Sequence, residues 1–283
     1  MARRPRVGAS GAWKTAGVPF TLVSFHAHPD DEALLTGGTL ARAAAEGHRV
    51  VLVTATAGEA GLSGDGMRDS LATARRHELA RAAEALGCAR WEVLGYVDSG
   101  FGPGAPNPGG FATLDVEEPA RRLAALLVEE GAHALTVYDA HGGYGHLDHV
   151  QVHRVGVRAA EIAGTPLVLE ATVARALLGR VATVLGCVPG VRRLIPADRF
   201  AHAFLSRAEL THRVDVRPHL AAKVAALAAH RSQTTGGGSV RTITLLTRLP
   251  SLLLAPALGR EWFRERGRTA GTPLQDDLFA SLR

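Results

Sequence analysis

The chain has 283 residues, 46% of them hydrophobic and 21% charged, with a formal net charge of +5. That length buries a sizeable core, and the balance excludes a disordered or collagen-like chain. The positive charge does not point to nucleic acid: only Lys14 and Lys223 are lysines, and no dense basic stripe with interleaved aromatics occurs. Two cysteines, Cys88 and Cys187, exclude a disulfide framework or a cysteine-rich metal site and read as packing residues.

Residues 1–17, "MARRPRVGASGAWKTAG", read as a flexible arm, and the apolar run behind them is too short for a signal-peptide core. The pattern then alternates strand and helix. "FTLVSF" is a buried strand, "EALLTGGTLARAAAEG" (32–47) one helix, and "RVVLVTAT" a second strand. "AGEAGLSGDG" is a loop, and "RDSLATARRHELARAAEALG" is a long helix closed by Gly87, where a left-handed cap belongs. "RWEVLGY" is the third strand, and "VDSGFGPGAPNPGG" is a loop long enough to carry function. "VEEPARRLAALLVEEG" is a helix and "HALTVYD" the fourth strand; "AHGGYGHLDHV" is a loop leading into a further helix. From about 190 onward, "AHAFLSRAEL", "HRVDV" and a helix "PHLAAKVAALAAHRSQ" complete the unit. Residues 241–268 read as a core-packing helix and a terminal strand with solvated arginines rather than a membrane-surface segment. Arg248 and two prolines interrupt "ITLLTRLPSLLLAPALG", so no transmembrane segment is expected and the default location is cytoplasmic.

Strands separated by helices of ten or more residues imply an α/β fold, a Rossmann-like, mostly parallel sheet with helices on both faces. Residues 18–283 read as a single domain, since no linker or internal repeat breaks them. Ligands in such sheets sit at the carboxyl ends of the strands. "HAHPDDE" follows the first strand and "HGGYGHLDH" the fourth, so both loops are expected on one rim.

Three acids beside two histidines exceed what a strand-to-helix turn needs. Pro29 holds His28 extended and can open the helix, so Asp30 and Asp31 leave the first turn in different directions. One can bind a metal while its neighbour faces a water. The second loop adds His146 and His149, three apart. Neutral imidazoles and a carboxylate are zinc ligands, and three of them with an open position mark a catalytic site. The competing readings are local. His149 and His153, four apart on a helix, form a rival pair. His26 reads as packing, Glu32 as a helix-start or supporting acceptor, and His230 as a structural hydrogen-bonder. Asp148 either orients a ligand imidazole or starts a helix, and His141 is a rim residue. Glu59 and Asp139 are site-adjacent, and Arg75 alternatively pairs with Glu78 on a helix surface.

"AHPDDE" (27–32), "GE" (58–59), "RRHE" (75–78), "YVDSG" (96–100), "GGYGHLDH" (142–149) and "AHRSQ" (229–233) together carry a resemblance. The sequence resembles the PIG-L/LmbE-like family of metal-dependent de-N-acetylases, which remove acetyl from N-acetylglucosamine-type sugars. The resemblance implies metal ligands at His28, Asp31 and His149, and a water-activating base at Asp30. It implies that His146 stabilises the transition state or protonates the leaving amine, and that Tyr144 donates to the oxyanion. Arg75 and Asp98 fall where relatives bind the sugar or its polyol partner. The implied cofactor is Zn2+, with Fe2+ or another divalent ion allowed by the mixed nitrogen and oxygen set. The implied partner is a small N-acetylated amino sugar or glycoconjugate, and a homo-oligomer is compatible with it. Alternatives are an amidase on a mycothiol-type conjugate or an antibiotic or glycolipid N-acyl sugar, and a non-catalytic sugar-binding protein on the same fold. Two departures stand out. Leu147 replaces the proline usual in His-Pro-Asp-His, and Asp139-Ala140-His141 replaces the Asp-Pro-Asn that precedes "GGYGH" in mycothiol-pathway deacetylases.

Overall fold

The computed structural model describes residues 18–59, 68–100, 106–173, 204–230, 232, 251–269 and 273–283. The expected arm at 1–17, Cys187, Arg241 and Arg248 lie outside them. Among the described residues, seven strands form one sheet in the order β3-β2-β1-β4-β5-β7-β6. The strands are β1 (Thr21–His26), β2 (Arg49–Thr56), β3 (Arg90–Tyr96), β4 (Ala134–Tyr138), β5 (Leu167–Thr172), β6 (His212–Asp215) and β7 (Arg260–Glu265). The first five run parallel, and β7 pairs antiparallel with both β5 and β6.

Every residue of β1 is buried, because both faces of the sheet are covered. Leu22, Val50 and Leu52 point into one apolar cluster, and Val23, Phe25, Val51 and Val53 into the other. The first cluster is closed by α2 (Gly37–Ala45), α3 (Arg68–Ala85) and α6 (Leu220–Ala229), the second by α4 (Glu117–Glu129) and α5 (Leu147–Ala163). The sheet order reverses between β1 and β4, and Ser24 lies in register with Thr136. The carboxyl ends of β1 and β4 therefore open side by side, at the switch point where open α/β sheets bind ligands.

Several elements differ from the sequence reading. The helix expected over 32–47 is two helices, α1 (Asp31–Leu35) and α2, broken at Thr36 with φ −129°. The two glycines that follow lie inside α2 and let it approach its neighbours closely: a Cβ on Gly38 would lie 2.4 Å from Val216 Cβ. The backbone N–H groups of Gly38 and Thr39 instead donate to the Glu261 carboxylate, each at 2.8 Å. Strand β5 was not expected, since "LVLEAT" is a short apolar run without clear alternation. The helix expected over 218–233 is confined to Leu220–Ala229, behind a 3-10 turn at Arg217–His219. In the expected helix-and-strand tail, α7 (Ser251–Leu258) and β7 are present. Its arginines are not all simply solvated: Arg264 and Arg266 pair with the fully buried Glu170 at 2.7 and 3.2 Å. No helix among the described residues is long and apolar enough to cross a membrane. Cys88 is partly buried against the core, and burial pushes its thiol up to about 12.

His26 sits inside the sheet–helix interface, its Nε2 2.8 Å from Ser24 Oγ and 3.1 Å from Thr36 Oγ1. Burial pushes its pKa from 6.5 down to about 4. Between those values the unfolded chain takes up a proton that the folded chain refuses. The stabilisation is therefore complete above pH 6.5 and is lost as pH falls toward 4, at about 1.4 kcal/mol per pH unit. Urea unfolding of wild type and His26→Gln at pH 7, 5.5 and 4.5 checks this. The variant's stability should fall less steeply across that window, and equal slopes would refute the assignment.

Candidate metal centre and active site

The β1–α1 turn presents His28, Asp30 and Asp31, and the β4–α5 loop presents Tyr144, His146 and His149. The structure brings His28, Asp31 and His149 together, one ligand atom from each lying within 4.8 Å of the others. Asp31 Oδ2 is 3.3 Å from His28 Nδ1 and 3.3 Å from His149 Nε2. A tetrahedral ion with bonds of about 2.0–2.1 Å holds neighbouring donors roughly 3.3–3.4 Å apart, so these spacings fit a divalent cation. Two further observations support the fit. His149 Nε2 is buried without a hydrogen-bond partner. His28 Nε2 lies 3.2 Å from Asp148 Oδ2, a placement that would orient the imidazole with its Nδ1 toward a cation shared with Asp31.

The electrostatics agree. Burial lowers the His28 pKa, but hydrogen bonds to Asp148, Asp31 and Asp98 override it and raise it well above 6.5. Burial raises Asp31, yet the neighbouring His149 and then the hydrogen bond and charge of His28 hold it well below the usual carboxylate range. A positive charge, whether a proton or a metal cation, is what this cluster of acceptors lacks. A second donor group, His28, His146 and Asp148, shares His28 with the first. The rival His149–His153 pair does not form: His153 Nδ1 is 3.0 Å from the Tyr138 carbonyl and 3.7 Å from Glu170.

Asp30 stands beside the donor set without belonging to it. Its φ of 111° is a strained value for a residue with a side chain, and such strain clusters at functional sites. Glu32 Oε2 accepts from the Asp30 N–H at 2.9 Å, and Glu32 Oε1 is 2.6 Å from His230 Nε2. Desolvation, and then the charge of Asp31, raise the Asp30 pKa to about 6, partly offset by Arg75. Arg75 is buried rather than on a helix surface: it donates to the Gly58 carbonyl at 2.7 Å and lies 3.6 Å from Asp30 Oδ2. A Cβ on Gly58 would fall 1.7 Å from that guanidinium, which explains the glycine in "GE". Glu78 accepts two hydrogen bonds from Ser232. Asp98 is buried 3.5 Å from His28 Nε2, and its amide donates to Glu59.

His146 caps α5, its Nδ1 accepting from the Asp148 N–H at 3.1 Å. Burial first, then the neighbouring His28 and His149, push its pKa down to about 4, so the ring is neutral with its proton on Nε2. Tyr144 is half-exposed, its ring 5.2 Å from that of His149. Desolvation, then Asp31, Asp30, Asp98 and Asp148, raise its phenol pKa, so it keeps its proton. Asp139 accepts from the His141 and Gly143 amides and from the Thr172 hydroxyl, fixing the loop base, while His141 is exposed on the rim. The sequence reading missed Tyr138, whose hydroxyl donates to Asp31 Oδ2 at 2.7 Å. A tyrosine ending a fully buried strand was the available signal, because a buried phenol needs a partner.

A doubly wound sheet that gathers two imidazoles and a carboxylate at cation-binding spacing beside its switch point has the arrangement expected of a metal-dependent hydrolase. Comparison with known proteins narrows the class: the PIG-L family model, described as GlcNAc-PI de-N-acetylase, matches residues 23–160. The 1D-myo-inositol 2-acetamido-2-deoxy-alpha-D-glucopyranoside deacetylase of Streptomyces avermitilis is 36% identical, over 92% of this chain and 97% of the relative. The protein of the same name from Mycobacteroides abscessus is 40% identical, over 92% and 98%. The solved N,N'-diacetylchitobiose deacetylase of Pyrococcus horikoshii shares the fold, with a TM-score of 0.58 at 17% identity over 87% of this chain and 83% of its own. The chain belongs to the PIG-L family of de-N-acetylases.

Proposed function

We propose that this chain is a zinc-dependent hydrolase that removes the N-acetyl group from an N-acetylglucosaminyl-inositol or a closely related conjugate. The observation that carries the reading is the Asp30 carboxylate, its pKa raised to about 6, set beside the candidate donors His28, Asp31 and His149 on one rim. The two relatives with the inositol-sugar name match over nearly their whole length, which supports the substrate class. His28, Asp31 and His149 would hold the zinc, which when bound would polarise the acetyl carbonyl and make water acidic near neutral pH.

The rest of the chemistry falls to the protein's own groups. Asp30, raised to about 6, accepts a proton from the attacking water at neutral pH. Water oxygen joins the acetyl carbon, the carbon–nitrogen bond breaks, and the proton passes to the departing amine. Tyr144, kept protonated, donates to the developing oxyanion, a contribution of about 3 kcal/mol for comparable donors. His146 offers an Nε2–H from a neutral ring to the leaving nitrogen. Arg75, 3.6 Å from Asp30, and Asp98, 3.5 Å from His28, would meet the sugar and inositol hydroxyls.

The test measures acetate and free amine from N-acetylglucosaminyl-inositol, N-acetylglucosamine, N,N'-diacetylchitobiose and a thiol-conjugate amide. Equal amounts of both products are expected from the inositol conjugate, abolished by chelator and restored by zinc. Cleavage of the thiol conjugate alone would move the activity to the amidase reading. Acetate from none of them, by zinc-loaded protein, would leave only a sugar-binding protein.

A further inference from the structure

We infer that Tyr138 is a positioning residue of the metal centre, fixing the ligating oxygen of Asp31 and the ring plane of His149 at once. The inference rests on the reading that His28, Asp31 and His149 hold the ion. Tyr138 is the last residue of β4 and is 3% exposed. Its hydroxyl donates to Asp31 Oδ2 at 2.7 Å and accepts from the Ala27 N–H at 3.1 Å. Its ring stacks on that of His149, with centroids 4.0 Å apart and planes 9° from parallel. One side chain therefore touches the backbone next to the first ligand, the carboxylate of the second and the imidazole of the third.

Each contact removes a freedom that the ligands otherwise keep. The terminal torsion of an aspartate is broad and roughly two-fold, so its two oxygens exchange unless a donor selects one. Tyr138 selects Oδ2, the atom that lies 3.3 Å from both histidine nitrogens. The imidazole torsion of His149 is equally soft, and a parallel ring at van der Waals distance holds it. Placing Tyr138 follows from strand register: β4 lies against β1, and the Tyr138 ring sits edge-on to His26 with centroids 5.6 Å apart. Phenylalanine would keep the stack and lose the oxygen, which makes it the informative substitution. Groups that orient metal ligands in this way change affinity 10–100-fold when removed.

The experiment compares zinc affinity of chelator-stripped wild type and Tyr138→Phe by competition with a chromophoric chelator, with the visible spectrum of the cobalt-substituted protein alongside. The variant should bind zinc about 10–100-fold more weakly and show altered cobalt bands. A variant whose metal-free melting temperature drops while its zinc affinity and cobalt spectrum stay at wild-type values would overturn the inference. Because Tyr138→Phe could fail to fold, a second measurement uses intact protein labelled with 3-fluorotyrosine. Tyr138 is one of three tyrosines, and its fluorine resonance should move on zinc addition; a stationary signal would also overturn the inference. Wild type that binds no zinc would sink the metal reading itself, a result distinct from tight wild-type binding with an unaffected variant.

Discussion

Asp30→Asn should cut turnover by about 10²–10⁴-fold, the range typical of general acid–base groups, while the protein keeps its metal. Asparagine matches aspartate in shape but cannot take a proton from water. The donor set comprises His28, Asp31 and His149 and does not include Asp30, so the cation should remain. The Asp30 backbone is tied down by Glu32 and should keep its position, since the Glu32 contact is to the main-chain N–H. Asp31→Asn should do the reverse and release the metal, because Asp31 Oδ2 faces both histidine nitrogens. Metal content by mass spectrometry beside kcat separates the two. Loss of metal from Asp30→Asn with retention in Asp31→Asn would exchange the roles of the two neighbours.

The second large effect concerns stability. Glu261→Gln should destabilise the fold by about 3–5 kcal/mol, the cost of removing one partner from a buried ion pair. Glu261 on β7 is 2% exposed, and its Oε1 accepts from Lys223 Nζ on α6 at 2.5 Å. The same carboxylate receives the two N–H groups that open α2. Glutamine removes the charge opposite a buried ammonium and turns donor hydrogens toward groups that already donate. The double variant Lys223→Met/Glu261→Gln removes the stranded ammonium and should recover part of the loss. Urea unfolding at pH 7 measures both, and a single-variant loss under about 1 kcal/mol would show that the pair is readily replaced.

These contacts mark where sequence reasoning reached its limit. The rim that carries the candidate site was legible because both histidine-rich loops follow apolar strand patterns, and parallel sheets place such loops at one end. The candidate donors His28, Asp31 and His149 were legible as chemistry because each stands in a histidine- and acid-rich loop, and the structure brings one ligand atom from each together. Glu32–His230 spans 198 residues and Glu261–Gly38 spans 223, and no local periodicity encodes partners at such distances. Arg264 and Arg266 looked like solvated charges for the same reason, their partner Glu170 lying on a strand that local patterning did not reveal.

The sequence by itself determined the alternation of strands and helices, the parallel sheet, and the residue types gathered at its carboxyl edge. Hydrophobic period and side-chain chemistry are local properties, written in consecutive residues. Only the tertiary structure decided that one helix ends before Thr36 and another starts at Gly37, that Arg75 turns inward onto Asp30, and that Tyr138 joins Asp31 to His149. Each of those outcomes depends on which distant backbone supplies the partner for a buried polar group, and that is settled only when the layers close.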